Sequence, residues 1–174
     1  MSVKADQVPD YYVYVKFQKQ TINLNSTNLD PNEAYVFELR IFLSNLLGLP
    51  LSIFRLKKAA VADDDDEEND TQADKKKKTK KIDLYDCWTL KHYDITKKCT
   101  FILETWHGWD TFLDYCIKGF TKQCLKAMSM DEMIRQYQMK VALYISAHYG
   151  SFELASTLMA THGVRADRPG RCMF

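Results

Sequence analysis

The chain has 174 residues, of which 46% are hydrophobic and 13% aromatic, enough apolar material for a core, so global disorder is excluded. Lys and Arg number 24 against 23 for Asp and Glu, so no overall field steers the protein toward nucleic acid or an anionic membrane. No stretch reaches the roughly 20 apolar residues that span a bilayer, and Met1 to Pro9 lacks the apolar segment of a signal peptide.

Residues 1–10 read as a disordered N-terminus. Tyr11 to Phe17 (YYVYVKF) is β-branched and aromatic, which predicts a strand. A short turn at Gln18-Lys19-Gln20 leads into Thr21 to Asn25, where Ile22 and Leu24 alternate with polar neighbours, so the two strands form a hairpin. Asp30-Pro31-Asn32-Glu33 then reads as a helix start, with Asp30 as cap, Pro31 in the first turn and Glu33 completing a capping box. Val36, Leu39, Leu43 and Leu46/Leu47 recur at helical spacing and mark one buried face. Gly48 suits the C-terminal cap, Pro50 stops the helix, and Leu51 to Lys57 predicts a third strand.

Residues 58–81 break the pattern. Acidic residues from Asp63 to Asp70 are followed by lysines from Lys75 to Lys81, with almost no apolar side chain to offset the entropy of ordering. The segment reads as a disordered, charged loop insertion, and loop-closure entropy makes such an insertion cheap, ~0.6 kcal/mol per doubling of length.

Order resumes at Ile82 to Tyr85. Thr89-Leu90-Lys91-His92-Tyr93-Asp94-Ile95, followed by Cys99 to Trp106, resembles the threonine-leucine-x-x-tyrosine-asparagine-isoleucine turn and last strand of ubiquitin. The order hairpin, helix, Gly-aliphatic-Pro, strand, turn, strand over 11–106 is similar to the ubiquitin-like β-grasp family. The resemblance implies that Leu90 and Ile95 plug one end of the core while the Tyr93 hydroxyl ties the loop to backbone. With the periodic positions, the expected core is Ile22, Leu24, Val36, Leu39, Leu43, Leu90, Tyr93, Ile95, Phe101 and Leu103.

Two departures from that family bear on function. The last strand runs on through Trp106-His107-Gly108-Trp109 with no diglycine end, so conjugation is not expected. Aligning Arg55-Leu56 with the family's third strand puts Lys57 at the central isoleucine of the patch that ubiquitin receptors read, and Glu104 falls at its valine. An aliphatic pocket would have to desolvate both charges, so ordinary ubiquitin-patch readers are not expected to bind.

From Trp109 the periodicity is helical. Phe112, Leu113, Cys116 and Ile117 share a face, Gly119 permits a turn, and Cys124, Leu125 and Met128 mark a second short helix. Ser129 to Glu132 resembles a capping box that opens a further helical stretch. Val141 to Leu154, with Leu158, Met159 and Gly163-Val164, resembles one ankyrin repeat, its opening turn represented by Val141-Ala142-Leu143-Tyr144. The expected core of this part is Leu143, Ala147, Leu154 and Leu158, the helical repeats span 107–164, and 165–174 reads as a flexible tail. Stacked repeats bury their faces only against neighbours, so either these helices pack on the ubiquitin-like domain or the chain is part of a longer array. The fold class is therefore α+β: a ubiquitin-like β-grasp domain, then an all-α ankyrin-type segment. That combination, with Tyr85 to Tyr93 and Trp106 to Trp109, resembles the ankyrin repeat and ubiquitin domain-containing family.

Chemistry-bearing patterns are sparse. Five cysteines with no close pair argue against a disulfide framework or a zinc knuckle and for reduced, buried thiols. The acidic run lacks the spaced ligands and turn glycine of a calcium loop. The lysine run lies beside acidic residues that neutralise it, so nucleic acid is not expected as a partner. His92, His107, His148 and His162 have no nearby nucleophile at a telling spacing, so no catalytic residue, cofactor, metal or small-molecule substrate is expected. The expectation is a non-catalytic cytoplasmic adaptor, the lysine run also reading as a nuclear address, that grips a protein partner through His148, Tyr149, Phe152 and Glu153. The alternative is a structural subunit whose neighbour completes the helical array.

Overall fold

The computed structural model describes residues 11–16, 18–24, 30, 32–59, 81–95 and 99–166. β1 (Tyr11–Val15) and β2 (Gln20–Asn23) form an antiparallel hairpin, and α1 (Val36–Leu47) follows. β3 (Phe54–Ala59), β4 (Lys81–Asp83) and β5 (Cys99–Thr105) complete one sheet ordered β2-β1-β5-β3-β4. β1 and β5 are parallel, Tyr11 opposite Cys99 and Val15 opposite Leu103, whereas β3 pairs antiparallel with β4 and β5. This is the β-grasp topology, and the protein is α+β.

Period-two alternation turns Val13, Val15, Leu56, Phe101 and Leu103 inward, where they share a buried cluster with Val36, Leu39, Leu43 and Leu47 of α1. Each such side chain contributes about 1.5–3 kcal/mol by leaving water. Leu24, Leu90 and Ile95 are also buried, and Ile22 and Tyr93 are partly buried against the cluster. The Tyr93 hydroxyl accepts from the backbone N–H of Tyr85 at 2.9 Å.

Four local expectations change. α1 starts at Val36, not after Asp30, because the Val36 N–H donates to Trp88 O at 3.0 Å and Tyr35 bridges Thr89. Asp30 instead accepts from the backbone N–H of Asn32 at 2.9 Å, a local turn before the helix, and the first turn of α1 is completed by Glu38, which accepts from the Tyr35 N–H at 2.9 Å. Leu46 is 48% exposed, so the buried stripe ends on Leu43 and Leu47 alone.

Leu51–Ile53 is a turn of 3-10 helix, and β3 begins only at Phe54. The Arg40 guanidinium holds that turn by donating to the carbonyls of Leu51 and Phe54 while pairing with Asp86. Finally, β3 extends through Lys58 and Ala59 and β4 begins at Lys81, so these three residues belong to the sheet and not to the loop. Of that loop, 60–80 lies outside the described residues, as do 1–10 and 167–174.

The helical part comprises α2 (Asp110–Ile117), α3 (Thr121–Lys126), α4 (Glu132–Tyr149) and α5 (Phe152–His162). Asp131 caps α4 by accepting from the Ile134 N–H at 3.0 Å. α4 runs unbroken for 18 residues, so Val141 to Tyr144 lies mid-helix and forms no opening turn of a repeat. No proline or glycine interrupts 132–149, and nothing in that stretch stops propagation.

The two parts share one hydrophobic cluster. Trp106 and Trp109 are tilted rings 5.2 Å apart at the exit of β5, and each lies 5.8 Å from the ring of Tyr137 on α4. The Tyr137 and Ser52 hydroxyls share a hydrogen bond. At the far end of α4, the Tyr149 hydroxyl donates to Leu47 O at 3.0 Å. Gly48 ends α1 at φ +57°, and a Cβ built on it would fall inside the His148 imidazole. The helices therefore pack on the sheet domain. Among the described residues no helix is long and apolar enough to cross a membrane.

Candidate functional site

The outward face of the sheet follows from the same alternation. β1 presents Tyr12 and Tyr14, with Lys16 directly after its end, β5 presents Thr100, Ile102 and Glu104, and β3 presents Arg55 and Lys57. On the edge, Asp83 stands opposite Lys57 and Lys81 opposite Ala59. Arg55 is the direct cross-strand partner of Glu104, so Lys57 reaches Glu104 diagonally.

Four cations converge on that one carboxylate. Lys57 Nζ lies 2.9 Å from Glu104 Oε2, Arg55 at 3.4 Å, and Lys16 and Lys81 at 3.5 and 3.7 Å from Oε1. Lys57 also lies 3.7 Å from Asp83. The Lys57 and Glu104 side chains are only 15% and 12% exposed, whereas those of Lys16 and Arg55 are 56% and 63% exposed. Burial pushes the Glu104 carboxyl up, but the hydrogen bond and charge of Lys57, with the charges of Lys16 and Lys81, outweigh it and hold the group at about 2. Glu104 is thus ionised under all ordinary conditions, and among the described residues the cluster carries more positive than negative charge.

Beside this cluster lies a cleft of about 640 Å³ whose lining includes Arg55 and Glu104, the apolar Phe54, Trp106, Trp109 and Ile134, and the polar Ser52, Thr105 and His107. Trp106 and Ile134 are 46% and 43% exposed, so its walls combine aromatic and aliphatic surface open to solvent. Sequence reasoning found Lys57 and Glu104 but missed Lys16, Arg55 and Lys81, whose convergence depends on strand register. It also missed Arg40, whose partners Leu51, Phe54 and Asp86 are distant in sequence.

The four residues expected to grip a partner from the helical part divide into two pairs. His148 covers Gly48 and stacks edge-on against Tyr149 at 4.9 Å, and the Tyr149 hydroxyl is engaged with Leu47. Burial pushes that hydroxyl's pKa up. These two tie the parts together and are also exposed, Tyr149 at 40%. Phe152 is 83% exposed and Glu153 is also exposed, at the start of α5.

Of the residues expected to form the helical core, Leu154 and Leu158 are buried, Leu143 is partly buried and Ala147 is exposed. The inner face of α4 is set by Gln138, Val141, Ala142 and Ile145, and a residue two positions after Ile145 points away from it. Ala142 and Ser146 supply the small buried side chains there.

Cys116 and Cys124 sit buried with sulfurs 3.3 Å apart, one thiol donating to the other. That hydrogen bond, then burial, then the neighbouring sulfur push the Cys116 thiol far up, so it is a poor nucleophile. Burial likewise raises Cys99, partly offset by Lys58. Among the described residues no group of three or more His, Cys, Asp or Glu side chains is placed to hold a metal.

A β-grasp sheet whose outer face is charged, packed on two pairs of short-linked helices, defines a mixed α+β protein with a ubiquitin-like domain and a helical segment. No family model matches the chain, and no solved structure matches it. Over 152 residues it is 28% identical to Protein ANKUB1 of Homo sapiens, an alignment covering 87% of this chain and 26% of that protein. The chain thus spans about a quarter of the length of that relative. The similarity supports, at a distant level, the ankyrin repeat and ubiquitin domain family that the motifs resemble.

Proposed function

We propose that the chain is a non-catalytic protein–protein interaction module, an adaptor in which a ubiquitin-like domain that is not conjugated is joined to a short helical array. The observation that carries this reading is the joint. β5 passes through Trp106 to Trp109 straight into α2, and Tyr149 and His148 clamp α4 to the end of α1. The strand end from which a conjugating tail would leave is instead the root of a helical body.

The histidines favour the same reading. His92 stacks on Trp88 at 4.2 Å, and His148 packs against Tyr149, so these two rings serve packing contacts. The thiols of Cys116 and Cys124 face one another rather than a base. The proposed partner is a protein, reached in the cytoplasm, with the exposed His148, Tyr149, Phe152 and Glu153 as the contact on the helical side.

A second reading has its own support. Phe152 and Met159 are seven residues apart on α5, hence on one face, and are 83% and 44% exposed. A neighbouring subunit covering that face would complete the array. Sedimentation of the purified chain separates the two. A monomer that captures a partner, with capture lost in Phe152→Asp but melting unchanged, supports the adaptor. Self-association abolished by Phe152→Asp supports the subunit. A chain that keeps its partner after Phe152→Asp and Glu153→Lys removes the helical contact from the proposal.

A further inference from the structure

We infer that the outer sheet face, from Lys16 across Arg55 to the cleft at Trp106, is a docking surface for an acidic peptide segment of a protein partner that also carries an apolar side chain. The inference rests on the interaction-module reading but uses a set of residues that does not include Phe152.

Charge complementarity comes first. Four cations surround Glu104, and among the described residues the carboxylates paired with them are Glu104 itself and Asp83, which leaves two positive charges of the described cluster over. Two carboxylate oxygens cannot satisfy the donors of three lysines and an arginine, and the most exposed cations, Lys16 and Arg55, keep N–H groups free for an incoming anion. Glu104 stays ionised beneath them and holds the cations together against their mutual repulsion. The site is therefore assembled before any ligand arrives, which lowers the cost of binding.

The adjacent surface narrows the ligand class. Arg55 lines the same cleft as Phe54, Trp106, Trp109 and Ile134, so an anionic group held by Arg55 would place a neighbouring side chain near aromatic surface. An acidic residue followed by a leucine, isoleucine or phenylalanine fits this pairing of charge and apolar wall. A nucleic-acid strand fits worse, because its closely spaced phosphates would meet Glu104 and Asp83 as well as the cations. The loss of the ubiquitin patch at Lys57 and Glu104 thus becomes a change of ligand rather than a loss of surface.

The test is fluorescence anisotropy of the full chain with a labelled peptide of alternating Glu and Leu, at low and at physiological salt. The expected result is saturable binding that weakens with salt and falls about tenfold in the Lys16→Gln/Arg55→Gln double variant, whose substituted side chains are exposed. A peptide with Ser for every Glu should not bind, and Phe152→Asp should leave the affinity unchanged even if it abolishes capture on the helical side. Equal affinity in the double variant overturns the inference, as does equal or tighter binding of a single-stranded oligonucleotide. Binding that emerges only after Asp63 to Asp66 are replaced by Asn assigns the face to the chain's own acidic run and also overturns it.

Discussion

The sheet domain and the helical part reach burial by opposite routes. In the sheet, the central pairing joins Tyr11–Val15 to Cys99–Leu103, almost the full length of the domain apart. In the helices, each element turns back on its neighbour, α3 on α2 and α5 on α4, through a few residues. Non-local pairing demands that the whole domain be in place before any of it is stable, whereas local pairs can form early. Neither route is self-sufficient here, because both parts contribute to one cluster through Trp109, Phe112 and Ile145 on one side and Leu47 and Leu49 on the other.

The largest test of that shared core is truncation on each side of it. Leu103→Ala and Leu154→Ala each remove a fully buried side chain, so each should cost about 2–5 kcal/mol. If the core is common, denaturation followed by circular dichroism and by tryptophan fluorescence gives one coincident transition in both variants. Two separated transitions, each moved by only one substitution, would split the molecule in two.

Gly48→Ala is next. A side chain at φ +57° costs about 1–2 kcal/mol, and its Cβ would displace the His148 ring, adding about 1–3 kcal/mol. Combining it with His148→Ala removes the ring but keeps the Cβ of residue 148, 2.9 Å from the new methyl, so it should recover some of the second part and none of the first. If the double variant is no more stable than Gly48→Ala alone, the close approach of α4 to α1 is wrong.

Acid should act on the sheet side. Glu104 has a folded pKa lowered to about 2 from 4.5, so its contribution is complete above pH 4.5 and is lost as pH falls toward 2. Between those values the melting temperature of the wild type should fall more steeply than that of Glu104→Gln. Parallel profiles would mean that the four cations leave Glu104 unperturbed.

The smallest effect belongs to Tyr149→Phe, which deletes the hydrogen bond to Leu47 O and should cost about 0.5–1.5 kcal/mol in thermal or urea melts. Its Leu47 partner is a backbone carbonyl, so the ring packing survives and only the tie between the two parts is weakened.

Element order was legible in the sequence because it depends on local signals: alternation at Tyr11, helical spacing through Leu43, the stop at Gly48 and Pro50. Boundaries were not, wherever a distant group supplied the missing hydrogen bonds. The strong helix-start pattern at Asp30 lost to Trp88 O and Thr89, which satisfy the chain at Val36 and Tyr35 from over fifty residues away. Lys58, Ala59 and Lys81 looked like loop by composition, yet Lys58 Nζ donates to Tyr93 O at 2.6 Å and Lys81 pairs with Glu104. The candidate site shows the same limit. Resemblance located Lys57 and Glu104, but only the register of three strands brings Lys16, Arg55 and Lys81 to the same carboxylate. Ala147 fails for a related reason: small size suggests an inner position, but the phase of α4 is set by the residues around it.

The clamp of Tyr149 on Leu47 also has a geometric consequence. With α4 fastened at Tyr137 and again at Tyr149, its angle to the sheet domain cannot change without breaking one of these two hydrogen bonds, so the two parts turn as one body.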